Sequence, residues 1–93
     1  MGSEDAAMVE VVWDLEDDPK GNVQHILDHG VTREEVEEVL HDPASETGRS
    51  RSSGRPMTFG STVAGRPLVV VWEMVEQDPL VVYPVTAYEP EEE

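Results

Sequence analysis

Leu68-Val69-Val70-Val71-Trp72 are five apolar residues in a row, set between the short connections Ala64-Gly65-Arg66 and Glu76-Gln77-Asp78-Pro79. The run is too short for a helix and dominated by a β-branched residue, so it reads as a strand that is apolar on both faces. Such a strand belongs in the middle of a sheet. The runs on either side, Met57–Val63 and Leu80–Tyr88, are then its neighbours, and the hairpin-length connections predict an antiparallel meander. Pro84 lacks an amide donor, which places the last strand at an edge or bulges it there. Tyr83 and Tyr88 fall on opposite faces by strand alternation, so one can be buried while the other reaches solvent or a site. Met8–Trp13, rich in valine, predicts one further strand at the start of the chain. Trp13 and Trp72 are both expected in the core.

Two helices are predicted between that first strand and the meander. Val23, Ile26 and Leu27 recur at helical spacing, giving a short helix over about Asn22–Asp28 with a narrow apolar stripe. Gly30 stops it, as a residue at home in the left-handed conformation. The second helix carries the clearest local signal. Thr32 and Glu35 form a capping box, Val31 and Val36 a hydrophobic staple, and Glu34 and Glu35 complement the positive end of the helix. Val36, Val39 and Leu40 make its buried stripe, and Asp42-Pro43 ends it. Pro43–Pro56 is a long polar stretch of the kind that is either functional or disordered, and part of it can serve as an edge strand. The expected fold class is α+β, in the order β-α-α-β-β-β, with both helices on one face of the sheet. One domain is expected over 8–89, between a frayed N-terminus at 1–7 and an acidic tail at 90–93.

The absence of cysteine excludes disulfides, thiolate metal sites and cysteine nucleophiles, and fits a reducing cytoplasm. No apolar run approaches the roughly 18 residues of a membrane span, and the acidic start Met1-Gly2-Ser3-Glu4-Asp5 has no signal-peptide character. The net charge is −15, unevenly spread. From Thr47 to Trp72 there are four arginines and no acid; all 21 acidic residues lie elsewhere, against Lys20 and Arg33 alone. Acidic bulk repels nucleic acid at long range, whereas a local arginine cluster still grips phosphate at contact.

Three groups of residues carry candidate chemistry. Asn22, His25 and His29 share a helical stripe turned away from Val23, Ile26 and Leu27, which predicts an accessible face. A histidine pair four apart can act in general acid–base chemistry, contact phosphate, or be a solvated polar face; zinc would need ligands the sequence does not supply. Arg49, Arg51 and Arg55 lie among Ser50, Ser52, Ser53 and Gly54, a composition that suits a phosphate loop and equally a flexible surface loop. Tyr88, near the end of the last strand, is a candidate proton donor. His41 closes the second helix, where the dipole alone accounts for it. Gly54 and Gly60 are expected to serve turns or a bulge.

The ordered series Trp13-Asp14, Lys20, Asn22, His29-Gly30-Val31-Thr32, Glu35 and Asp42-Pro43, followed by the hairpin Gly65-Arg66-Pro67-Leu68-Val69-Val70-Val71, resembles the BrnT family. BrnT proteins are toxins of type II toxin–antitoxin pairs, related in fold to RelE ribonucleases, and the likeness covers about residues 11–88. It implies a RelE-like fold and a metal-independent, cofactor-free endoribonuclease. His25 or His29 would be base or acid, Arg51 and Arg55 would hold phosphate, and Tyr88 would donate. The implied partners are an antitoxin protein and RNA, with a homodimer left open and no membrane. The chain departs from the family at the last strand. The family has a serine-alanine-arginine stretch and a basic helix there; this sequence has Val85-Thr86-Ala87-Tyr88-Glu89. The rival expectation is a non-catalytic protein-binding module of the same fold.

Overall fold

In the computed structural model, which describes residues 9–90, the five apolar residues lie in the first half of the central strand of a five-stranded sheet. The elements are β1 (Glu10–Val11), α1 (Asn22–Asp28), α2 (Arg33–His41), β2 (Glu46–Arg49), β3 (Pro56–Ser61), β4 (Pro67–Glu76) and β5 (Val81–Tyr88). The sheet order is β1-β5-β4-β3-β2; β1 runs parallel to β5 and every other pair is antiparallel. This is an α+β fold with the expected meander, extended by β2 at one edge and β1 at the other. The first strand is two residues long where Met8–Trp13 predicts more. Met8, residues 1–7 and residues 91–93 lie outside the described residues.

Both helices cover one face. Leu68, Val70 and Trp72 of β4 alternate toward it and meet Ile26, Val31, Val36, Val39, Val82 and Ala87 in a single buried cluster. The intervening Val69 and Val71 face the other side with Phe59 and Met57 of β3. Trp72 donates its indole N–H to Thr58 at 3.0 Å, so the one polar atom of this large core side chain is satisfied. Trp13, expected in the core, is half-buried at its margin and donates to Glu37 at 2.7 Å. His41 does more than meet a helix dipole: its Nε2 lies 2.6 Å from the Val9 carbonyl, tying the end of α2 to the start of β1.

The helix termini follow the local signals. At the end of α1 the Val31 amide donates to Ile26 and the Gly30 amide to Leu27, with Gly30 at φ 76°. These are the paired bonds of a Schellman ending, and Ile26 and Val31 supply its apolar contact in the core. The capping box is formed both ways: the Glu35 amide donates to the Thr32 hydroxyl at 3.2 Å, and the Thr32 amide to the Glu35 carboxylate at 3.1 Å.

Two expectations about faces are overturned. Leu27 is 45% exposed, whereas Asn22, assigned to the accessible stripe, is 3% exposed. At about 100° per residue, Asn22 lies only about 40° from Ile26 on the wheel. The buried sector of α1 runs from Asn22 through Ile26 to Val23 and leaves Leu27 outside. The tyrosines do not lie on opposite faces either. Between the pairs Trp72–Pro84 and Val71–Thr86 the register shifts by one residue, so Tyr83 opposes Glu73 and Tyr88 opposes Val69. Glu73 and Val69 are four apart on β4, so both tyrosines share the face away from the helices. The bulge next to Pro84 resets the alternation.

Candidate functional site

Asn22 stands at the junction of β1, β5 and α1. The Glu10 amide donates to Leu80 and the Val12 amide to Val82, two successive rungs of the parallel ladder. The next rung would join the Asp14 amide to the Pro84 carbonyl. Instead the Asn22 carboxamide is spliced between them: it accepts from the Asp14 amide at 2.9 Å and donates to the Pro84 carbonyl at 3.1 Å. Its amide nitrogen also reaches the Val12 carbonyl at 3.1 Å. In return the Asp14 carboxylate accepts the Asn22 amide at 2.9 Å and the Tyr83 hydroxyl at 2.6 Å.

Those bonds shift both titrating groups. The Tyr83 hydroxyl and the Asn22 amide hold the Asp14 carboxyl below its ordinary range. The Asp14 carboxylate, with some burial, pushes the Tyr83 phenol up to about 12. The signs differ. Asp14, depressed in the folded state, contributes stability above its unfolded pKa that is lost as pH falls through the acid range. Tyr83, raised in the folded state, contributes stability below about pH 10 that is lost as pH rises toward 12. With Tyr88→Phe, Tyr83 is the remaining tyrosine of two. Its ultraviolet titration is expected near pH 12, and adding Asp14→Asn is expected to bring it back toward 10. An unchanged midpoint in the double variant would contradict this assignment of cause.

His25 on α1 and His29 at its C-cap are both exposed, their rings edge-to-face with centroids 5.2 Å apart. His25 Nε2 lies 3.1 Å from the Thr86 hydroxyl on β5, and Tyr88, 37% exposed, follows two residues later on the same strand. The two histidines therefore stand beside β5 at Thr86, while Tyr88 lies on the face away from the helices. The arginines do not join them. Arg51 is in the turn between β2 and β3, at the far edge, three strand spacings from β5 or about 14 Å. It forms no ion pair among the described residues.

The acid-free segment is not acid-free in space. Arg55 Nε is 2.8 Å from Glu73, one residue beyond that segment. Arg66 donates to both Glu35 oxygens at 2.9 and 3.0 Å, to Glu89 at 2.7 Å and to the Gly30 carbonyl at 2.9 Å. Burial alone would raise the Glu35 carboxyl, but the Thr32 amide and Arg66 outweigh it and hold it low. Arg49 donates to the Gly54 carbonyl at 2.8 Å, bracing its own turn. Sequence reasoning missed Asp14, Tyr83, Glu73 and Glu89, since nothing in the local pattern of any of them reports a partner so far along the chain.

Among the described residues no group of three histidine or carboxylate side chains is placed to hold a metal ion, and no helix is long and apolar enough to cross a membrane. No protein-family model matches the chain, and no curated protein matches it.

Proposed function

We propose that this chain is a BrnT-like protein of RelE-like fold that acts in the cytoplasm by binding a partner protein, such as an antitoxin, and does not cut RNA. The observation that carries this reading is the commitment of Arg55 and Arg66 to carboxylates. A phosphate approaching either guanidinium competes with a carboxylate already in place. At long range the net charge of −15 repels a polyanion. Binding of a basic or neutral protein meets neither obstacle.

The second reading is an endoribonuclease, favoured by His25 and His29 side by side next to Thr86. There, one histidine would take the ribose 2′-hydroxyl proton and the other would protonate the leaving 5′-oxygen; Arg51, at the far edge of the sheet, is too distant to steady the phosphorane. One assay separates the two. Purified protein, incubated with free RNA and with translating ribosomes, is expected to leave both RNAs intact, and expression is expected to leave growth unchanged. Cleavage that falls about a hundredfold with His25→Ala or His29→Ala, and not with Arg33→Ala, would replace the binding reading with the enzyme.

A further inference from the structure

β2 runs out before β3 does. Its first residue, Glu46, pairs with Phe59, whereas Gly60 and Ser61 pair only on the other side, with Leu68 and Pro67 of β4. The Thr62 amide donates to Arg66, toward β4. Successive residues of an antiparallel strand turn their backbone groups to alternate sides, so Ser61 turns its N–H and C=O outward. Beside it lies a groove of about 290 Å³, lined by Asp42, Ser45, Glu46, Phe59, Gly60 and Pro67 among others. Phe59 is 46% exposed. Neither Asp42 nor Glu46 pairs with a cation among the described residues. One Asp42 oxygen accepts the Ala44 amide at 2.9 Å, leaving the other available.

We propose that this groove receives an extended segment of a partner protein bearing an arginine or lysine. The segment's backbone pairs with the outward edge at Ser61. Its basic side chain lays an aliphatic stem on Phe59 and Pro67 and sets the charged head between Asp42 and Glu46. This rests on the binding reading above and gives it a place and a partner chemistry. Each part has its own reason. An unpaired strand edge is a template for another strand. An aromatic face beside carboxylates holds a cation by its quadrupole and by charge together. The net charge of −15 draws a basic segment in and keeps an acidic one out.

The test is a titration of the isotope-labelled full chain with an acetylated, amidated hexapeptide of alternating arginine and valine, followed by amide NMR shifts. The matching glutamate–valine peptide is the control. The arginine peptide is expected to move amides at 42–46 and 59–61 and the glutamate peptide to move none. Phe59→Ala is expected to weaken binding about fivefold and Glu46→Gln about threefold. Both residues are exposed, and the variants' spectra report folding directly. Shifts centred on the acidic side of α2 or on the sheet face around Tyr88 would overturn the groove and leave the binding reading standing. No shifts with the arginine peptide, or equal shifts with the glutamate control, would also overturn it. The RNA assay judges the binding reading separately.

Discussion

Asn22→Ala is expected to destabilise the domain by about 3 kcal/mol, the cost of stranding buried polar groups on several sides at once. The substitution leaves the Asp14 amide without its acceptor and the Pro84 and Val12 carbonyls without their donor. A chain of this length has roughly 5–14 kcal/mol of stability in total, so the loss is a large fraction of it. With a urea slope of about 1.5 kcal/mol/M, the unfolding midpoint should fall by about 2 M. Asn22→Asp should do no better, since a carboxylate cannot donate to either carbonyl and adds a charge beside Asp14. His25→Ala and His29→Ala, on the exposed side of the same helix, should stay within about 0.5 kcal/mol. Equal effects at all three positions would mean that the spliced rung carries no particular weight.

The contrast between Asn22 and its two histidine neighbours shows where sequence reasoning reaches and where it stops. The limits of α1 were legible because the apolar spacing and Gly30 are local signals, and the capping box of α2 was legible for the same reason. Which way α1 is turned was not. Apolar residues at three positions define a stripe only to within one neighbouring position, and Asn22 sits on its border. A polar residue there is assigned outward by default, unless a strand end is known to need a donor and an acceptor at that spot. That need arises from β1 and from Pro84, which is 62 residues further on. Pro84 itself was half legible: the missing amide predicts an edge or a bulge, and the bulge, not an edge, is what forms. Its consequence for the tyrosines was hidden, because strand alternation counts residues and a bulge adds one.

The candidate site shows the same division. The arginine segment is free of acids along the chain, yet Glu35, Glu73 and Glu89 close on Arg66 and Arg55 from α2, β4 and the residue after β5. Charge patterning in sequence reports composition over a window, whereas an ion pair reports folding. The histidine pair was legible as exposed, because two polar residues four apart on a short helix need no tertiary information to share a face. Its distance from Arg51 was not, since that depends on the strand order, which puts β2 and β5 three places apart.

Gly60→Ala is expected to cost about 2 kcal/mol, in the range of overpacking a tight interior. The sequence assigns Gly60 to a turn or bulge, but it lies within the regular register of β3, opposite Leu68. What requires glycine there is a close approach. A Cβ at this position would overlap the Ser45 hydroxyl, lie 3.0 Å from the Ser45 Cβ and 3.3 Å from a Val39 methyl. The Ser45 hydroxyl is not free to yield, because it donates to the Val39 carbonyl at 2.7 Å, near the C-terminal end of α2. Either that bond breaks or α2 lifts from β3. Removing the obstacle should restore much of the loss: in Gly60→Ala with Ser45→Gly, the space given up on one side is recovered on the other. The double-mutant cycle, measured by urea unfolding, should show a coupling of about 1 kcal/mol in the rescuing direction. Simple additivity would mean that the strand resents alanine for reasons of its own backbone. Coupling of the expected sign would show that the glycine is there for Ser45, four residues past the second helix and 15 places earlier in the sequence.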